Sequence, residues 1–222
     1  MKAFDEIWEQ IHNEQEWGKY PQEEVIRFVA RNYYRMERSE VKLLDAGCGT
    51  GAVTWFVARE GFVVSGFDGS MTAVRKAMDR LKAEGLSADL KVADAAAIPF
   101  QNEFFNGIID SAMIYANTTE AIRTILRECY RVLMTGGKLF STGLFKIGMT
   151  GYGTGEMLEE NTYRELTEGV LAHRGTVHFF DQAQIAAIWS EVGFKNIKID
   201  FIDRTDMDGT VKISYFMVES EK

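Results

Sequence analysis

Residues 41–60, VKLLDAGCGTGAVTWFVARE, constrain this chain more than any other stretch. Val41, Leu43 and Leu44 form a short apolar run of the kind that a strand buried on both faces needs. The run ends at Asp45 and opens into Gly47, Gly49 and Gly51, three glycines at alternate positions. Thr50 can then begin a helix whose apolar residues, Val53, Phe56 and Val57, recur at helical spacing. A strand, a glycine turn and a helix start make a site of the nucleotide-binding type. The glycines let a ligand approach the backbone, and the helix end presents unpaired N–H groups.

The spacing narrows the ligand. The dinucleotide fingerprint is G-x-G-x-x-G, with an acid about 20 residues further on. Here the third glycine comes one residue early, and Asp45 closes the strand before the first glycine. DAGCGTG resembles the first motif of the class I S-adenosylmethionine (SAM)-dependent methyltransferases. That resemblance implies that Gly47, Cys48, Gly49, Thr50 and Gly51 wrap the methionine end of SAM. Asp45 would orient the turn and the ligand's ammonium.

Three further segments resemble the same family, in the same order. FVVSGFDGSM, Phe62–Met71, ends a second apolar run in Asp68. By resemblance Asp68 accepts hydrogen bonds from the ribose hydroxyls, with Gly69 beside it and Met71 against the adenine; Ser70 competes for the helix cap. ADLKVADAAAIPF carries a third strand, after which Asp94 and Ala95 would read the adenine edge. FFNGIIDSAMIYAN carries a fourth, with Phe105-Asn106 where the family usually has Phe-Asp, and with Asp110 near the strand end where open α/β sheets bind ligands. Asn117-Thr-Thr-Glu120 reads as a capping box for the next helix, and RVLMTGGKLFST leads into strand five. FKNIKIDFID and TVKISYFMVES suit an antiparallel pair at the sheet edge. The implied fold is α/β, a Rossmann-like seven-stranded mixed sheet in the order 3-2-1-4-5-7-6 with helices on both faces.

Residues 1–222 are expected to form a single methyltransferase domain with two additions. The first is a helical cap over residues 1–40, where Phe4, Ile7, Trp8 and Ile11 follow helical spacing and a second helix runs from Pro21 to about Glu37. Trp17, in WGKYP, is the aromatic most suited to contact the cofactor, because an aromatic face beside a sulfonium gains cation–π stabilisation. The second is an insert, residues 146–175, whose glycines 148, 151, 153 and 155 are expected to be mobile and to form a lid. Arg164 and Arg174 in it suit a carboxylate or phosphate on the acceptor. His178, a neutral imidazole at ordinary pH, is the expected general base; a histidine simply packed beside Phe179 and Phe180 is the alternative. Tyr115 and Asp110 come second.

Composition bounds the partners. Net charge is −8 and basic residues form no run, which argues against nucleic acid. No apolar run approaches the roughly 18 residues of a membrane span, and MKAFDEIWEQIHNEQEW lacks the apolar stretch of a signal peptide, so a cytoplasmic location is expected. Cys48 and Cys129 have no metal-ligand spacing, and no metal is expected. The expected reaction is methyl transfer from SAM, leaving S-adenosylhomocysteine (SAH), to an O or N of a small-molecule acceptor. A non-catalytic SAM-binding scaffold and a nicotinamide-dependent oxidoreductase are the alternatives. Acceptor identity and oligomeric state are not legible.

Overall fold

The computed structural model describes residues 2–222. Its centre is a seven-stranded sheet. Strands β1 (Lys42–Ala46), β2 (Val63–Asp68), β3 (Asp89–Val92), β4 (Phe105–Ser111) and β5 (Leu133–Phe145) run parallel, and β9 (Lys195–Asp206) and β10 (Val211–Glu221) form an antiparallel hairpin. β10 joins β5 antiparallel, giving the order 3-2-1-4-5-10-9. Setting aside three short strands of the insert, this is the order expected from the sequence.

Neighbouring residues in the central strands point to opposite faces and are buried on both. Leu43, Ile109 and Phe140 pack with one group of helices; Leu44, Ile108 and Leu139 pack with the other. That two-sided burial is why these strands read as continuous apolar runs. The first face is covered by α2 (Glu23–Tyr33), α3 (Ala52–Arg59) and α4 (Met71–Ala83), the second by α5 (Thr119–Val132) and α6 (Gln182–Val192). Asp181 caps α6 by accepting from the Gln184 amide at 2.8 Å, and Gly193 ends it in the left-handed region.

The structure shortens the N-terminal cap and gives the insert its form. Helix α2 stops at Tyr33 and belongs to the sheet layers: Phe28 stacks on Phe140 with ring centres 4.8 Å apart, and Tyr33 Oη donates to the Asn106 carbonyl at 3.2 Å. Helix α1 (Ile7–Glu14) and its flanking segments lie over the ligand edge of the sheet, and of α2 the first turn reaches the same edge through Glu23 and Glu24. The insert is a three-stranded antiparallel sheet, β6 (Glu156–Glu159), β7 (Thr162–Arg164) and β8 (Thr176–His178). Its glycines take φ near +80 to +100° in hydrogen-bonded turns, Tyr152 N to Met149 O and Thr154 N to Gly151 O, both at 3.1 Å. They supply left-handed backbone for tight turns, a geometric need that the sequence presents in the same way as mobility.

The same insert explains why the expected capping box fails. The Thr118 side chain makes no cap bond; the Thr119 amide instead donates to Glu159, on β6, at 2.6 Å.

Candidate functional site

A cavity of about 780 Å³ opens at the C-terminal edge of β1, β2 and β4, the edge where open α/β sheets hold ligands. The glycine turn between β1 and α3 forms its floor. Gly47, Gly49 and Gly51 have φ of +69°, +49° and +82°. A Cβ at Gly47 would overlap the Met113 side chain, and one at Gly51 would lie 2.8 Å from Ala77 Cβ. At Gly49 the nearest atom would be His12 Cε1, at 3.6 Å, so this glycine faces open cavity.

Acidic side chains converge on that turn. Asp45 Oδ2 accepts from the Thr54 amide at 2.8 Å and from Thr54 Oγ1 at 2.6 Å, which ties the end of β1 to the first turn of α3. Asp68 Oδ2 accepts from the Gly49 amide at 2.9 Å and Oδ1 from the Ser70 amide at 2.8 Å, while the α4 cap is Ser70 Oγ, accepting from Ala73 N at 3.0 Å. Asp110 Oδ1 accepts from the amides of Met113 and Ile114 at 2.9 and 3.2 Å. Burial pushes the Asp45 carboxyl up to about 7, with the Thr54 bonds opposing it and the Asp68 and Asp110 charges adding to it. Burial likewise pushes Asp110 up to about 7 and raises Asp68. Among the described residues no lysine or arginine pairs with any of the three.

The roof comes from the N-terminal segment. Glu9 clamps α1 onto the start of α4, accepting from Ser70 Oγ at 2.5 Å and Thr72 Oγ1 at 2.6 Å. Arg80 holds the following loop through the carbonyls of Trp17 and Gly18, each at 3.1 Å. These contacts set His12 over Gly49 and bring the Trp17 ring to 5.6 Å from the His12 ring, centre to centre. His12 Nδ1 and Trp17 Nε1 are buried with no hydrogen-bond partner among the described residues. Burial lowers the His12 pKa, so the ring is neutral near pH 7. At the far end of the cavity stand Tyr115, Phe145, Glu24 and Tyr215; Glu24 accepts from Thr142 Oγ1 and Tyr215 Oη, both at 3.0 Å.

Of the residues singled out in the sequence, Trp17, Asp45, Gly47, Cys48, Gly49, Thr50, Asp68, Gly69, Ala95 and Tyr115 line the cavity. Gly51, Met71, Asp94, Asp110 and His178 do not. Gly51 packs on α4, and Asp110 lies behind the wall holding the 113–114 turn. Met71 opens α4 and is 68% exposed; the Phe4 ring lies against Gly69 in its place. The Asp94 carboxylate is taken up by the amides of Ala3 and Phe4 (2.9 and 3.1 Å) and of Ala96 (2.8 Å), so it anchors the N-terminal segment.

His178 is the clearest correction. It is fully buried on β8, with Nδ1 2.6 Å from Thr162 Oγ1 and Nε2 3.1 Å from Gln184 Oε1, and burial lowers its pKa. Both ring nitrogens are used in joining the insert to α6, which leaves none for a substrate. His178→Ala should therefore cost on the order of 2 kcal/mol of stability, by leaving buried polar partners unpaired, while SAH affinity stays within twofold. Denaturant melts and calorimetry on the same sample check both.

His12, Phe4 and Glu24 were missed. The available signal was Trp8 and His12 at a spacing of four on one helix; which way that face points is fixed only by the Glu9 clamp.

The methyltransferase domain family matches residues 43–137. Over 119 residues the chain is 34% identical to methyltransferase GfsG of Streptomyces halstedii, covering 51% of this chain and 41% of that one. Over 111 residues it is 36% identical to the ubiquinone/menaquinone biosynthesis C-methyltransferase UbiE of Neisseria meningitidis, covering 48% and 44%. The chain thus spans about half the length of the curated relatives it matches. A solved SAM-dependent methyltransferase from Methanosarcina mazei superposes with a TM-score of 0.70 at 20% identity, over 87% of this chain and 96% of that one, which is a likeness of fold.

Proposed function

We propose that this chain, whose residues 43–137 match a methyltransferase domain family, is a class I SAM-dependent enzyme that transfers a methyl group from SAM to an O or N of a small molecule held in the cavity. The observation that carries this reading is electrostatic. Asp45 and Asp68 line the glycine turn, with Asp110 behind them, and among the described residues no lysine or arginine pairs with any of the three. Two unit charges 4 Å apart at an effective dielectric of 20 interact by about 4 kcal/mol. A pyrophosphate would meet that as repulsion, whereas an ammonium and a sulfonium would meet it as attraction. The unpartnered His12 and Trp17 nitrogens, and the open space over Gly49, suit a polar ligand end lying between roof and floor.

When bound, the cofactor supplies a methyl group made electrophilic by its sulfonium. The protein's part is to align the acceptor and exclude water, and alignment of reacting groups is worth roughly 7–11 kcal/mol. Tyr115, which burial keeps protonated, would orient the acceptor as a hydrogen-bond donor. Glu24 offers a carboxylate for the proton that an acceptor hydroxyl must lose.

Proton linkage tests the reading. A cation placed against Asp45 favours its carboxylate and lowers a pKa that stands at about 7. SAH binding should therefore release protons: about half a proton per site near pH 7, more near pH 6 and none above about pH 9. Affinity should rise with pH across the same window. Calorimetry in two buffers of different ionisation enthalpy measures the release. Proton uptake on SAH binding, or binding of NAD with no binding of SAH, overturns the proposal.

A further inference from the structure

The cavity lining includes two arginines without acidic partners among the described residues. Arg174, in the loop before β8, is half-buried and lies over the Trp17 ring, its guanidinium carbon 5.2 Å from the ring centre. Arg204, on β9, lines the same cavity. Neither has a carboxylate within 4 Å among the described residues, although the chain carries 33 acidic against 25 basic side chains. Arg164, the other candidate from the sequence, sits on β7 outside the lining.

Arg174 lies within cation–π range of the indole and its side chain makes no hydrogen bond among the described residues, so its N–H groups are free to form the planar fork that matches a carboxylate or phosphate. Tyr115, Phe145, Leu171 and Ile213 supply apolar wall around it. We propose that the acceptor is a small organic anion, a carboxylate or phosphate ester on an apolar body, whose anionic group is bound by Arg174 on its Trp17 platform with Arg204 contributing a second charge. This rests on the methyl-transfer reading of the cavity. It goes beyond that reading by fixing the charge of the substrate.

A carboxylate is also present on the cofactor itself, so the test separates the two sources. The probes are benzoate, phenyl phosphate and the neutral benzamide, titrated into the full chain saturated with SAH and followed by ligand-observed NMR. Wild type should bind benzoate or phenyl phosphate at least tenfold more tightly than benzamide. Arg174→Gln should remove that preference while SAH affinity stays within twofold, and Arg174→Lys should retain part of it, because charge survives and the fork does not. Arg204→Gln, at an exposed strand position that leaves the Trp17 platform intact, should weaken the preference by a smaller factor.

Equal binding of benzoate, phenyl phosphate and benzamide to wild type overturns the proposal. So does an Arg174→Gln variant that keeps the preference. If that variant instead loses SAH affinity tenfold and keeps benzoate binding, the anion served is the cofactor's own carboxylate and the acceptor assignment falls. Failure of wild type to bind SAH at all is a different result: it refutes the cofactor reading, and the anion titrations on the ligand-free chain then stand by themselves.

Discussion

Replacing Gly49 with valine should leave the sheet folded and abolish SAH binding, a loss of more than about 100-fold. The three glycines of the turn differ in what surrounds them. A side chain at Gly47 would run into Met113, and one at Gly51 would come within 3.2 Å of the Ala77 backbone, so substitutions there disturb the protein itself. Gly49 has only His12 Cε1 nearby, at 3.6 Å, and otherwise faces the cavity. Its φ of +49° makes a branched side chain cost about 1–3 kcal/mol, which a domain with two buried cores can absorb. The valine methyls would then stand between the turn and His12, where the methionine end of the ligand is expected. Gly51→Val serves as the contrast and should lower the melting temperature more than Gly49→Val does. A folded Gly49→Val protein that binds SAH as wild type does would show that the turn merely connects β1 to α3.

The sheet was legible because its chemistry is local. Leu43 and Leu44, or Ile108 and Ile109, must be apolar on consecutive positions if both faces carry helices, and the acids and glycines at the strand ends punctuate each run. What escaped reading depends on contacts far apart in sequence. Helix α1 has an amphipathic pattern, yet only the clamp from Glu9 to Ser70 and Thr72 decides that its His12 face meets the cavity. Asp94 looks like a ligand-reading acid until the amides of residues 3 and 4 are found upon it. His178 precedes a helix at the expected place, but Thr162 on the neighbouring strand takes one nitrogen and Gln184 on α6 the other. In the insert, glycine spacing specified turns whose partners lie in the β9–β10 hairpin: the Lys146 amide donates to Ser214 O at 2.8 Å and Thr150 N to Lys212 O at 3.1 Å.

Asp68→Ala should weaken SAH binding by about 100-fold with a modest loss of stability. In the native chain each carboxylate oxygen accepts one backbone amide, Gly49 on Oδ2 and Ser70 on Oδ1, and each retains further acceptor capacity toward the cavity. Two ribose hydroxyls would use it. Hydrogen bonds to a charged group contribute about 1.5–3 kcal/mol each, and two that share one carboxylate fall short of twice that, so a loss on the order of 3 kcal/mol is expected. The Gly49 and Ser70 amides lose their acceptor, which costs stability, and the loss is partly offset because removing Asp68 also removes a buried charge that raises the Asp45 pKa. Asp68→Asn is no rescue, since its NH₂ would face one of the two amides, donor against donor. The discriminating measurement compares adenosine with 2′,3′-dideoxyadenosine. Wild type should prefer adenosine at least tenfold, and Asp68→Ala should bind both equally weakly. If the variant keeps the wild-type preference, the ribose is held elsewhere, and Asp68 serves only to pin the glycine turn to the start of α4.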